Sequence, residues 1–284
     1  MSYLVTYSGI QRLVELESNA RRAVLLPRLR VSIGTEKQPD TLKLRDAVLT
    51  AVDAAVSQPV RAAEEVPMRL LMQLEGLQGL RSAEAEMRAE YAVVRTTPVT
   101  GHSSQEVYTL LASGRLEGEL TLMLGAEVTG ITTCPCAHEG IRERARERLL
   151  GSFPEQVVDR ILSILPIASH NQRNISTLML GTAPGRVQVE QIIEVVEESM
   201  SSRLYEVLKR EDEVEVVYRA HLNPNFVEDT VRGILLRTAE RFRNLPDSTV
   251  VYARSESIES IHQHNAVAER LATLGEIRRE VSRE

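Results

Sequence analysis

Five short runs hold residue types that can do chemistry. The first is Thr132-Thr133-Cys134-Pro135-Cys136. Proline fixes the backbone between the two thiols. A thiolate there is a soft ligand for zinc or iron, and a pair of small residues buried after a strand is the plain alternative. The second run is His170-Asn171-Gln172-Arg173, at a junction between a helical stretch and a strand. Consecutive polar groups at such a place are unusual for a core, and a solvated loop is the alternative. The third is Lys209-Arg210-Glu211-Asp212-Glu213, which reads first as a solvated charge run at a helix end; Lys209 and Arg210 suit a negative C-terminal pole. The fourth is Phe226-Val227-Glu228-Asp229. Glu228 precedes Val231 and Leu235 at helical spacing, so it falls on the apolar side of its helix, where a carboxylate needs a partner or a task. A first-turn Glu favoured by the helix dipole is the alternative. The fifth is Glu259-Ser260-Ile261-His262, with His264 close behind. A histidine near a carboxylate suits acid–base work, whereas His262 and His264 together suit metal ligation or a plain surface.

The elements that must position these runs follow from hydrophobic periodicity. A strand is expected over residues 23–33, then helices over 40–57 and 59–80, then strands over 85–96 and 106–112. The second half opens with a strand over 116–131 and a helical stretch over 137–166. A strand over 174–180 follows, and then a long amphipathic helix over 187–209. A short strand or an extended link is expected at 214–217. Asn223 and Pro224 read as the cap and first residue of a helix running to 243. A strand at 249–253 and a last helix at 265–279 complete the pattern. The order strand, strand, helix, helix, strand, strand can be drawn twice. It predicts an α+β fold with helices on one face of antiparallel sheets.

Composition bounds the function. The chain has 284 residues, 43% hydrophobic, long enough for one large domain or two small ones. Aromatic residues are only 4% and Trp is absent, so the core must be aliphatic. The formal net charge of −6 argues against a general nucleic-acid binder but not against a nucleotide substrate, which a local arginine cluster can hold. Two cysteines separated by one residue are poorly placed for an internal disulfide. The first residues show no basic and then apolar leader pattern, and no run approaches the roughly 20 apolar residues that span a bilayer. A cytoplasmic, soluble protein with reduced thiols is expected, with no nucleic-acid and no membrane partner.

Taken in order, Cys134-Pro-Cys136, His170-Asn-Gln-Arg, Leu208-Lys-Arg-x-Asp-Glu213, Asn223-Pro-x-Phe-Val-Glu228-Asp and Glu259-Ser-Ile-His262 resemble the type IB GTP cyclohydrolases and their archaeal relatives in methanopterin synthesis. The motifs run from about residue 132 to 269. The resemblance implies tandem tunneling-fold modules, drawn here at 1–114 and 115–284, and a homotetramer (a dimer of dimers) with active sites at subunit interfaces. It implies a divalent metal ion (Zn, Fe(II) or Mn) on Cys134, His170 and Glu213, with Cys136 beside it. It implies a guanine anchor at Glu228 and chemistry at Glu259 and His262. Arg173, Lys209 and Arg210 are the candidates for the triphosphate.

The implied reaction opens the imidazole ring of GTP and releases formate. A metal makes water a competent nucleophile at neutral pH. His262 is placed to protonate the departing ring nitrogen. The Glu228 carboxylate accepts from guanine N1–H and the 2-amino group, donors that adenine lacks. The main product expected is 7,8-dihydroneopterin triphosphate for tetrahydrofolate synthesis; the alternative is the 2′,3′-cyclic phosphate for methanopterin. The long link from Cys136 to His170 pulls toward the archaeal branch, and the arginine-rich, lysine-poor composition toward a bacterium. The first half departs from the family, reading Asp-Thr-Leu-Lys-Leu-Arg-Asp over residues 40–46 in place of a Met-Ser-Arg-Phe-type signature. A nitrile reductase of the queuosine pathway is a more distant alternative, and a purine-binding homologue without activity is a third.

Overall fold

The computed structural model describes residues 2–18 and 21–282. In chain order the elements are β1 (Tyr3–Gln11), β2 (Val14–Ser18), β3 (Arg21–Leu25), β4 (Arg28–Thr35), α1 (Thr41–Ala55), α2 (Glu65–Leu74), β5 (Leu80–Thr96), β6 (Ser103–Glu117) and β7 (Glu119–Thr133). Then come α3 (Pro135–Leu150), α4 (Glu155–Ile164), β8 (Asn171–Gly181), α5 (Val189–Glu197), β9 (Ser202–Arg203), α6 (Arg210–Leu222), α7 (Val227–Arg241), β10 (Val250–Ile258), β11 (Ala266–Thr273) and α8 (Leu274–Val281). The fold is α+β with antiparallel strand pairing. The order strand, strand, helix, helix, strand, strand occurs in each half once β2–β3 and, later, α3–α5 and β9 are set aside.

The chain forms two compact units. The first holds residues 1–92, 107–127 and 179–192. Its hydrogen-bonded neighbours run β1-β4-β5 and β6-β7. Gly118, with φ 76°, makes the tight turn from β6 to β7 that sets Glu117 opposite Glu119. Alternation puts Leu29, Val31 and Ile33 of β4 and Ala83, Ala85 and Met87 of β5 inside. Val48 and Val52 of α1 and Leu70, Leu71 and Leu74 of α2 supply the helical share of the core. Asp40 caps α1, its carboxylate accepting from the Leu42 and Lys43 N–H groups. The absence of a side chain at Gly114 lets Leu71 close onto β6, since an added Cβ would meet its Cδ1 at 2.8 Å.

The second unit holds residues 93–106, 128–178 and 193–284. Here β10 pairs with β11 from Val250↔Thr273 to Ser257↔Ala266, and β9 pairs with the end of β7. Helix α7 packs on β10 and β11 through Val231, Ile234 and Leu235. Helices α3 and α4 fill the interval between Cys136 and His170 around a small core of Val158, Leu162 and Ile167. Among the described residues no helix is long and apolar enough to cross a membrane.

Several sequence expectations need correction. Residues 23–33 form two strands, because Leu26-Pro27 interrupts them and proline lacks the N–H a ladder needs. The amphipathic helix expected over 187–209 ends at Glu197. The chain then passes through Ser199-Met200-Ser201, and Ser202 and Arg203 pair with β7 instead. Residues 214–217 are helical within α6, whose first turn is fixed by Asp212, so a tertiary contact overrides the β-branched composition. Helix α7 starts at Val227 with Phe226 as its cap, not at Pro224; Asn223 ends α6. Residues 266–273 are a strand, held by the β10 ladder despite their helix-forming Ala, Glu and Leu. Strand β1 is not foreseen: it holds strand formers such as Tyr3, Val5, Tyr7 and Ile10, but its apolar residues do not alternate strictly.

Candidate functional site

The expected site residues lie in the second unit, and strand ends gather some of them. Strand β7 ends in buried Thr132 and Thr133. Thr133 Oγ1 donates to the Ala220 carbonyl of α6 at 2.9 Å, and its N–H donates to Ser201 Oγ at 3.1 Å. Cys134 follows as the cap of α3, with Pro135 as the first helical residue. The positive pole of a 16-residue helix therefore faces Cys134, a setting that suits an anionic donor. Cys136 is exposed, and both cysteines are free.

The start of β8 is stitched to this corner. The Cys134 N–H donates to the His170 carbonyl at 3.1 Å, and Ser169 Oγ donates to the Cys134 carbonyl at 2.6 Å. His221 Nε2 lies 3.2 Å from the Ser169 carbonyl, so the C-terminal end of α6 holds the same segment. Across from β8, the segment after β10 brings Ser260 Oγ to 3.2 Å from His170 Nδ1. The His170 and His262 rings meet edge-on with centroids 6.4 Å apart, and His262 stacks on His264 at 5.4 Å. Glu259 Oε1 accepts from Ser257 Oγ at 2.9 Å and from Gln172 Nε2 at 3.5 Å. The structure thus brings the segments that carry Cys134, His170, Glu259 and His262 to one corner.

Of the other expected site residues, Cys136 lies beside this corner in the first turn of α3, whereas Lys209, Arg210 and Glu213 lie at the opposite end of α6 from Ala220. Glu213 is exposed in the first turn of α6. Seven residues separate it from Ala220, roughly 10 Å along the helix axis. Lys209 and Arg210 are exposed at the same end, and Arg173 is exposed on β8. Among the described residues, no three His, Cys, Asp or Glu side chains gather closely enough to hold a metal ion. The donor types themselves fit one: a thiolate, an imidazole and a carboxylate suit Zn²⁺, Fe²⁺ or Mn²⁺. Glu228 shares a groove of about 360 Å³ with Val231 and Leu235, as its spacing implied, but the groove is open and Glu228 is exposed rather than buried.

Asp212 is the functional-side residue that sequence reasoning missed. Within a run read as solvated charge, it is fully buried. It accepts from the Val99 and Thr100 N–H groups at 2.9 Å each, from Thr100 Oγ1 at 2.6 Å and from the Lys209 N–H at 3.2 Å. Burial alone raises a carboxyl pKa, but the Thr100, Val99 and Lys209 donors reverse this and hold it well below the ordinary range. The signal available was its place as the third residue of a helix, where a carboxylate closes a capping box.

Comparison with known proteins fits this arrangement. The model of the type I GTP cyclohydrolase folE2 family matches residues 8–268. The chain is 34% identical to GTP cyclohydrolase MptA of Methanothermobacter thermautotrophicus, covering 98% of this chain and 91% of the relative. It is 36% identical to GTP cyclohydrolase MptA of Methanococcus aeolicus, covering 98% and 94%. In backbone shape it is similar to the uricase of Arthrobacter globiformis, with a TM-score of 0.54 at 9% identity over 96% of this chain and 94% of that one. At that identity the likeness speaks for the fold alone. Motif order, the corner formed by Cys134, His170, Glu259 and His262, and the span of the family match agree: this chain belongs to the type I GTP cyclohydrolase folE2 family.

Proposed function

We propose that this GTP cyclohydrolase opens the guanine imidazole ring, releases formate, recloses the opened base with ribose carbons as a pterin and delivers 7,8-dihydroneopterin 2′,3′-cyclic phosphate, with diphosphate as the leaving group of the cyclisation. The observation that carries the choice of product is the set of relatives named MptA, matched over almost the whole chain. MptA is the name of the archaeal branch of the resemblance. The helices α3 and α4, which lengthen the link from Cys136 to His170, support the same branch. The folate-type triphosphate is the second reading.

The chain is read as two tunneling-fold modules, 1–114 and 115–284, the second bearing the motifs; the repeated element order supports this. Cys134, His170 and Glu213 would hold a divalent ion, which supplies Lewis acidity toward water and the ring carbon. We take the assembly to be a homotetramer (a dimer of dimers) with active sites at subunit interfaces, as the resemblance implies. Cys136 lines the metal corner. Glu228 anchors guanine through N1–H and the 2-amino group. Arg173, Lys209 and Arg210 provide cations for the triphosphate. His262 gives a proton to the departing ring nitrogen, and Glu259 shares in the proton traffic of the second hydrolysis. We place the reaction in the cytoplasm, where both thiols stay reduced.

The test is incubation with GTP and Mn²⁺, Fe²⁺ or Zn²⁺ under reducing conditions, following formate and, after oxidation, pterin fluorescence. Mass spectrometry of the product is expected to find the cyclic phosphate. Dihydroneopterin triphosphate as the sole pterin would move the enzyme to the folate branch, and no formate with any metal would end the proposal.

A further inference from the structure

The inward faces of β8 and β10 change character along their length. Toward one end Leu178, Val251 and Ala253 are fully buried and apolar. At the end that carries His170 and Glu259 the same faces hold Gln172, Asn174, Ser176, Ser255 and Ser257, all nine-tenths buried or more. Buried amides and hydroxyls are costly when left unpaired. A seam of them at one end of an aliphatic core calls for a physical reason. A need for fold specificity does not explain why the polarity ends where the site begins.

The bonds in the seam fall into two groups. In the deeper one Asn174 Oδ1 accepts from Ser176 Oγ at 2.6 Å and from Ser255 Oγ at 2.9 Å, and Ser176 and Ser255 lie 3.1 Å apart. This group bonds through its oxygens, leaves Asn174 Nδ2 buried without a partner among the described residues, and makes no described bond to Glu259. In the outer group, Ser257 Oγ and Gln172 Nε2 converge on the same oxygen, Glu259 Oε1. The other oxygen, Oε2, is buried and without a partner among the described residues. So is Gln172 Oε1. A carboxylate tied through one oxygen by two groups on two strands is fixed in rotation, while its second oxygen is kept free. Supporting bonds of this kind are how a reactive carboxylate is held in a productive orientation.

We infer that Ser257 and Gln172 are positioning residues for Glu259: they hold Oε1 so that Oε2 is the oxygen that exchanges protons during ring opening. Ser257 carries the larger part, because its bond is shorter and the residue is almost wholly buried. The inference rests on the reading of Glu259 given above.

The experiment is a double-mutant cycle in the metal-loaded full-length enzyme with GTP. Ser257→Ala is expected to lower kcat about tenfold, the order of one hydrogen bond to a charged group. KM for GTP should stay within about twofold, because Ser257 is almost wholly buried and is not among the residues assigned to hold GTP. In a Glu259→Gln background the same change is expected to have no further effect. Ser255→Ala, at equal depth on the same strand, is expected to keep kcat, which separates positioning from a general loosening of the core. Should Ser257→Ala fail to fold, Gln172→Met enters the same cycle with a smaller expected fall. Wild-type kcat in Ser257→Ala, or an equal loss with and without the Glu259 carboxylate, overturns the inference. A Glu259→Gln enzyme as fast as wild type overturns it at its base. A wild-type enzyme inert toward GTP defeats the functional reading instead, so the two failures are distinguishable.

Discussion

His262→Ala is expected to lower formate release from GTP by a factor of about 10² to 10⁴, the range for removal of a general acid, while the variant keeps its fold and its metal. The geometry separates the two properties. His262 is exposed in the segment between β10 and β11, and its described contacts are rings: His170 edge-on at 6.4 Å and His264 stacked at 5.4 Å. Truncating an exposed side chain of this kind moves stability by less than about 0.5 kcal/mol. A large loss of turnover would therefore be chemical. Cys134→Ala is the contrast. Cys134 caps α3 but its sulfur makes no capping bond, so alanine keeps the corner while removing a metal donor. Its metal affinity is expected to fall, with turnover falling in consequence. Metal content by elemental analysis, melting temperature and formate release together decide the matter. Full turnover in His262→Ala, or metal lost from it as readily as from Cys134→Ala, would contradict the division of roles.

The same residues mark how far local patterns in the amino-acid sequence reach. Cys134 and His170 stand 36 positions apart, and on the sequence only the family resemblance joins them. The structure supplies the physical link: a backbone bond from Cys134 to His170, reinforced by Ser169 and by His221 from α6. Helix α1 and most of β5 follow from periodicity, and α2 and β4 follow over shorter or shifted spans than the 59–80 and 23–33 expected; the helices bury one face, and β5 alternates along most of its length. Asp212 does not, since its burial comes from the turn at Val99 and Thr100, more than 100 residues earlier. The helix expected over 187–209 fails for a similar reason. Its apolar spacing is real, but Ser202 and Arg203 find a strand partner at Gly130 and Ile131 that no local pattern announces. Glu228 fails in the opposite sense: it has the apolar neighbours its spacing implies, but they line an open groove.

Glu64 is silent in the sequence, one of two adjacent glutamates within the helix expected over 59–80, and it leads to the second large effect. It precedes α2 and is 1% exposed. Neither of its carboxyl oxygens has a well-formed hydrogen bond among the described residues. It lines a cavity of about 30 Å³, room for about one water, with Ala62, Tyr91, Leu110, Gly185 and Val187. Burial is the main influence and pushes its pKa up to about 7. The nearby N–H groups of Glu64 and Gly185 offset part of this, and the charge of Glu65 adds to it.

The consequence is a stability that falls with rising pH. In the unfolded chain Glu64 ionises near the ordinary value of 4.5, and in the folded protein near 7. Between those values the folded state binds the extra proton, so unfolding becomes easier as pH rises. The contribution is complete below pH 4.5 and has been lost once pH passes 7. A shift of this size corresponds to about 3 kcal/mol. Glu64→Gln is neutral throughout and is expected to remove the dependence. At about pH 8 it should melt several degrees above wild type, at roughly 2–4 °C per kcal/mol for a chain of this order of size. At about pH 5 the two should melt together, or the variant slightly lower, because an amide needs more partners than a protonated carboxyl in the same cavity. Melting curves of both proteins from about pH 5 to 8.5 check this; a difference between them that does not change with pH would show that Glu64 is not a buried neutral acid.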